Sequence, residues 1–376
     1  MIEGEKEDAE MPSQLRNTKP CSSARQSAHV YLPQEIIEEI LSRLPVKSLL
    51  RFRCVSKSWL CLFGSTQFVK THLQNLAGNT SFSHHKVIFS VRDGGLKQYS
   101  LQSLLNDGPN PIPTGLPSNG VVETGDHIVG CCNGLVCIVK EGGKGVILWN
   151  PSTRISKEVP HHDHDDHHSI HACAFGWDEW SGAYKVIVVL CSVGEQERLY
   201  KVYSSRTNSW KNVDGLEFSS HPGQFANGKL HLFGLNVEIV TFDLKTDVFG
   251  TMELPDKPDD WHNHSAAMGV LGGCLSLCYV YAKDLDGHHK QRLDLWVMKK
   301  HESWVKVMAV PIDWEIVMAR PLCISPNAEI ILICPPFFFV HRPKQNVILP
   351  LNDFKVEAPL LSHLYVESLV SPHQQS

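Results

Sequence analysis

The run HHDHDDHHSIH, residues 161 to 171, gathers six of the chain's 21 histidines beside Asp163, Asp165 and Asp166. Imidazole and carboxylate side chains together can hold zinc or nickel. A metal site also needs groups that orient its ligands. A polar run between two strands supplies none, so the segment reads as a solvated loop, with His164 and His167 as candidate contacts to a protein target. Trp177 and Trp180 in FGWDEW and Trp261 in DDWHNH are candidate aromatic anchors for the same purpose, because tryptophan dominates binding hot spots. Packing between strands is their alternative role.

Catalysis finds little support. A nucleophile elbow, a Gly-rich phosphate loop, an HExxH zinc motif and a Cys-His pair of recognisable spacing are all missing from the sequence. Glycoside cleavage would need paired carboxylates converging on one centre, but Asp243, Asp247 and Asp294 fall in turns or strands of a repeat described below. The 12 cysteines (Cys131-Cys132, Cys137, Cys274-x3-Cys278, the rest scattered) match no CxxC pair or zinc finger. They read as reduced thiols used as buried small apolar residues. No catalytic residue, metal or cofactor is therefore expected.

At 376 residues, 42% hydrophobic and 20% charged, the chain is of ordinary soluble type and long enough for two domains. A net charge of −5 offers no field for nucleic acid or anionic membranes. The first 28 residues lack the apolar core of a signal peptide, and no stretch approaches the ~20 apolar residues of a membrane span. Cytoplasm or nucleus, or both, is the expected location.

Three regions separate by pattern. Residues 1–28 hold too few large apolar residues to order themselves and read as a disordered tail. Residues 30–76 carry helical periodicity. Leu32-Pro33 marks a start, Ile36, Ile37, Ile40, Leu41 and Leu44 make one broad apolar face, and Pro45 ends the helix. Ser48 is the candidate cap of the next helix, and Leu49, Leu50, Phe52, Val55, Trp59, Leu60 and Phe63 supply two further stripes before Gly64. Three short helices are predicted.

From residue 82 to 370 the period becomes two, and one strand-turn element recurs: LWNPSTRIS, VYSSRTNSW, TFDLKTDVF, VMKKHESWV and VHRPKQNVI. Trp149, Tyr203, Phe242, Met298 and His341 align in it, 39 to 56 residues apart. Before each copy comes another turn: Asn133-Gly134, Ser181-Gly182, Asn227-Gly228, Gly272-Gly273 and Asn327-Ala328. Spacing of ~40 to 50 residues is that of four-stranded propeller blades. The fold class is thus a small helical module followed by an all-β, propeller-like domain of about six blades, with the terminal strands sharing one blade. A β-sandwich is the alternative, though two sheets rarely need so long a chain.

About 45 residues cannot bury all of Ile36, Ile37, Ile40, Leu41, Leu44, Leu49 and Leu50 on themselves. The surplus apolar surface must meet either the chain's own β domain or another protein. Here LPQEIIEEILSRLPVKSLLRFRCVSKSWLCLF resembles an F-box, with Leu32-Pro33, Ile36-Ile37, Ile40-Leu41, Leu44-Pro45, Leu49, Cys54, Val55, Lys57 and Trp59 at that family's characteristic positions. The β region resembles the F-box-associated, kelch-like domain of plant F-box proteins through GCCNGLVCI, ILWNPSTR, FGWDEWSGAYKVIVV, MGVLGGCLSL and DLWVMKKHESWVKV. It is similar, too, to the pollen S-locus subgroup, which acts in self-incompatibility by recognising pistil ribonucleases.

The resemblance implies that the module binds a Skp-type adaptor, and through it a cullin, while the β domain captures a protein for ubiquitination. It places Leu32, Pro33, Ile37, Ile40, Leu41, Leu44 and Pro45 at the adaptor interface, and Phe52, Val55 and Trp59 in the module's own centre. Which of Ile36, Ile37 and Ile40 points outward is left open. A scaffold or inhibitor that never delivers substrate is equally compatible with these residues.

Overall fold

In the computed structural model the described residues run from 32 to 373, apart from 92–94, 107–111, 119, 162–167, 193–197, 220, 222, 236–237, 256–261, 286–287, 300–302, 313, 336 and 352–361. The expected disordered tail lies outside them.

Four helices open the described chain, one more than predicted: α1 (Gln34–Leu41), α2 (Val46–Phe52), α3 (Lys57–Gly64) and α4 (Thr66–Ala77). Proline stands at the N-caps of the first two, where its missing N–H costs nothing. The Pro33 carbonyl accepts from Ile36 and Ile37, and the Pro45 carbonyl from Ser48 and Leu49. Ser48 therefore lies inside α2 and is not its cap. Serine does cap the other two helices, Ser56 Oγ accepting from the Trp59 N–H at 3.1 Å and Ser65 Oγ from that of Phe68 at 3.3 Å. Trp59 packs at a tilt against Phe52 and Phe63 with centroids 5.6 and 6.1 Å apart, as the resemblance implied, whereas Val55 is exposed. α4 braces the corner between α1 and α2. His72 Nε2 donates to the Leu44 carbonyl at 2.9 Å, and Asn75 Nδ2 to Ser42 Oγ at 2.8 Å.

The described strands form six four-stranded antiparallel sheets. The chain's last strand, His363–Val366, is the inner strand of the first blade, paired with His85–Ser90. The inner strands of blades two to six are His127–Cys132, His168–Asp178, Gln224–Ala226, His262–Leu271 and Arg320–Ile324. Each touches the next, and the sixth touches the first, so the ring is closed. At its tightest point Gly269 is irreplaceable, since a Cβ there would lie 2.1 Å from the Pro321 carbonyl oxygen in the neighbouring blade.

The repeat read from the sequence is the third strand of a blade and the turn after it. Trp149, Tyr203, Phe242, Met298 and His341 all sit on third strands and are buried. Arg154, Asn208, Asp247 and Asn346 adopt positive φ at the ends of the following turns. Asn133-Gly134, Asn227-Gly228 and Gly272-Gly273 place two consecutive residues at positive φ, the geometry of two-residue hairpins. Besides apolar packing, an ionic clasp joins blades three and four: Lys185 Nζ in blade three reaches Asp178 at 3.1 Å and Asp247 of blade four at 2.8 Å and donates to the Leu244 carbonyl, and Lys211 of blade three also pairs with Asp247.

Turns joining first to second and third to fourth strands share one face of the ring, and the chain enters at His85, on that face. The module sits there. Its buried Leu41, Val46, Leu49, Phe63, Phe68, Val69 and Leu76 are continuous with propeller residues including Cys132, Tyr184, Leu369 and Val370 in one core.

Candidate interaction surfaces

α1 carries two apolar rows. Ile37, Leu41 and Leu44 point inward, Leu41 only 3% exposed and the others partly buried against the module's core. Ile36 and Ile40, four residues apart and so stacked on one helix face, stand out with Leu32, which precedes the helix, each with 47 to 52% of its surface exposed. Burial thus resolves the open choice: Ile36 and Ile40 face out. Leu41, expected at the adaptor interface, belongs to the core instead, and Ile37 and Leu44 flank it. Pro33 and Pro45 are exposed at the two helix starts. Leu60 on α3, expected only as part of an apolar stripe, adds a further outward side chain. The outer row has charged neighbours on its own helix, Glu39 paired with Arg43, while Gln34 Nε2 donates to Glu38 at 2.9 Å.

On the propeller the expected anchors separate. Trp177 is partly buried, its ring 4.6 Å from that of Tyr184. Trp180 is 77% exposed in the following turn, with Lys245 Nζ 4.1 Å above its ring. Both are on the module's side of the ring. His164, His167 and Trp261 lie outside the described residues, and the strand ends that flank them, Glu158, His168, Glu253 and His262, are on the opposite face.

The acids weighed for glycoside cleavage have structural partners. Asp243 caps its turn through the Lys245 and Thr246 N–H groups, Asp247 pairs with Lys185 and Lys211, and Asp294 with Arg292 and Lys306. The cysteines of the propeller are buried or partly buried, and burial pushes the Cys132 thiol up to about 12. Cys54 and Cys61 on the module are exposed, contrary to expectation. Among the described residues there is no cluster of three potential metal ligands, and no helix is long and apolar enough to cross a membrane.

Comparison with known families assigns both parts. The F-box domain model matches residues 31–71, and the F-box associated beta propeller domain model matches residues 116–370. The chain belongs to the plant F-box proteins with an associated β-propeller. Two F-box proteins of Arabidopsis thaliana resemble it along most of their length. The F-box/kelch-repeat protein At3g23880 is 30% identical over 91% of this chain and 96% of its own, and the F-box protein CPR1 is 27% identical over 91% and 86%. Among solved structures, TolB from Acinetobacter baumannii aligns with 80% of this chain and 72% of its own at 11% identity and a TM-score of 0.44. F-box proteins of this two-domain type are generally non-catalytic substrate adaptors of SCF ubiquitin ligases, and the F-box is the part that binds the Skp-type adaptor.

Proposed function

We propose that this F-box protein is the substrate receptor of an SCF ubiquitin ligase, working in the cytoplasm or nucleus, with Leu32, Ile36 and Ile40 entering the Skp-type adaptor and the propeller holding a protein target. The observation that carries the reading is an unpartnered apolar row on a module whose opposite side shares a core with the propeller. An apolar row that its own domain leaves uncovered is a protein-docking surface.

The shared core supplies the mechanism. A target held on the propeller is kept at fixed distance from the adaptor, hence from the cullin and the ubiquitin thioester it recruits. A dilute encounter between target lysine and thioester becomes one at high effective concentration. Chemistry at the thioester then needs no reacting group from this chain.

The test is co-expression with a plant Skp-type adaptor and cullin. Wild type co-purifies with both, and Ile36→Asp/Ile40→Asp does not, while its melting temperature stays that of the wild type. A wild type that stays folded and alone overturns the reading. A complex that forms but ubiquitinates none of the proteins captured on the propeller points to a scaffold.

A further inference from the structure

Charge is segregated near the start of the chain. Residues 3–10 hold five acids, Glu3, Glu5, Glu7, Asp8 and Glu10, against one lysine. The charges of residues 11–31 are all cations, Arg16, Lys19 and Arg25, and between Glu39 and Asp93 the sequence has no Asp or Glu. That acid-free stretch spans α2, α3 and α4. In a chain of net charge −5 it is a local reversal of sign.

Part of this charge forms a face. Lys47 and Arg51, four residues apart on α2, are exposed and stacked. Arg53 follows, partly buried, in the turn, and the exposed Lys57 opens α3. Among the described residues none of the four is paired with a carboxylate. The module's described acids are all on α1, where Glu39 holds Arg43 and Glu38 accepts from Gln34. Like charges at four-residue spacing weaken a helix, so nothing in the folding of α2 calls for this pair. The face also has apolar neighbours. Val55, 63% exposed, lies between Arg53 and Lys57, and Lys57 shares a side of α3 with the outward Leu60.

A face of one sign selects a partner of the other. Residues 3–10 have that sign and are tethered beside it, since the described chain begins at Leu32, two residues before α1. The 21 residues from 11 to 31 can bridge up to about 70 Å. The longest helix of the module, α4 with 12 residues, measures only about 18 Å. Reach is therefore ample, and a tether of this length supplies an effective concentration on the order of mM.

We propose that the acidic segment 3–10 docks on the basic face of Lys47, Arg51, Arg53 and Lys57 in its own module and weakens adaptor binding until the adaptor displaces it. The contact joins exposed ions, so salt dissolves it. Its effect on the adaptor rests on the receptor reading above, whereas the docking itself does not.

The full-length chain is treated with a water-soluble carbodiimide, which joins a carboxylate to an amine touching it, and the links are mapped by peptide mass spectrometry. In the monomer fraction at about 0.05 M salt, residues 3–10 should link to Lys47 or Lys57 at least fivefold more often than to Lys344, exposed on the propeller. At 1 M salt, where the Debye length is about 3 Å, those links should fall at least fivefold. Links to Lys344 of equal frequency would reveal random encounter, and links confined to covalent dimers would give the face to a second copy; either overturns the proposal. The adaptor is then titrated against wild type and Glu3→Gln/Glu5→Gln/Glu7→Gln/Asp8→Asn/Glu10→Gln, which alters no described residue. The variant should bind at least threefold tighter at the lower salt, and equal affinities would overturn the masking. An adaptor that binds neither form refutes the receptor reading, and the cross-links still decide the docking.

Discussion

Asn150 Nδ2 donates to the carbonyl oxygens of Ser368 and Val370 at 3.0 and 2.7 Å, across 218 and 220 residues of chain. Its Oδ1 accepts from the Ser152 and Thr153 N–H groups at 2.8 and 3.3 Å. One buried amide therefore shapes the turn after a third strand and fastens the segment that follows the ring-closing strand. Gly134, at φ +77°, reinforces the junction, since a Cβ there would come within 2.2 Å of Ser368 Oγ.

Asn150→Ala leaves two carbonyls and two amides without partners, some of them buried. At about 1 to 3 kcal/mol for each buried group left unsatisfied, the variant should lose about 2–4 kcal/mol of stability in a urea titration. A loss under about 1 kcal/mol would mean that the ring closes without this amide.

The two rows of α1 predict opposite outcomes for neighbouring residues. Leu41→Ala removes a fully packed side chain and should cost about 2–5 kcal/mol, while Ile40→Ala, half exposed, should change stability by about 0.5 kcal/mol or less. Urea unfolding of the full chain measures both. Equal losses would show that Ile40 is packed after all, and the outer row would no longer be a free surface.

These rows show what the sequence could reveal and what it could not. Ile36, Ile37, Ile40 and Leu41 have the same chemistry and span an arc of about 140° on a helix of 3.6 residues per turn, so periodicity joins them into one broad face. Only the position of α4, whose His72 and Asn75 grip the α1–α2 corner, divides inside from outside. α4 was missed in the sequence, although Ser65 precedes Phe68, Val69, Leu73 and Leu76 at capping and helical spacing. The blade repeat was readable because each of the five aligned third strands must bury its aligned residue and four of the turns that follow place Arg154, Asn208, Asp247 or Asn346 at positive φ, which constrains residue type locally. The bond from Arg320 to the Ser362 carbonyl carries no such mark, being made only when blades one and six meet across the ring.

The clasp between blades three and four gives a third test. Lys185→Met leaves Asp178, 3% exposed, without its cation, while Asp247 keeps Lys211. Breaking a buried pair from one side costs about 3–5 kcal/mol, because the remaining charge is uncompensated. Asp178→Asn combined with Lys185→Met should recover part of that loss in urea titrations. No recovery would place the cost in packing of the lysine stem.

Acid should unseat the molecule before its carboxylates titrate. Desolvation lowers the pKa of His85 to about 4, helped by neighbouring His84 and opposed by the bond to Ala77, and that of His363 to about 3, helped by Arg320 and opposed by the bond to Ile128. Both lie below the ordinary value of 6.5. Above that value folded and unfolded chains hold the same number of protons at these sites. As pH falls below it, the unfolded chain takes up protons that the folded chain refuses, so stability declines until the folded values are reached. At pH near 4.5 each histidine should have cost about 2.5 kcal/mol. His72 and His127, lowered chiefly by desolvation, act in the same direction. Asp178 also has a lowered pKa: desolvation would raise it, but its bonds to Ser181 and Lys185 outweigh that. Its contribution therefore fades only as pH falls through the carboxylate range. Urea titrations at pH 7 and 4.5 separate these effects. His85→Gln and His363→Gln should each lose less stability than the wild type between the two pH values, and an undiminished loss in both variants would assign the acid sensitivity to other groups.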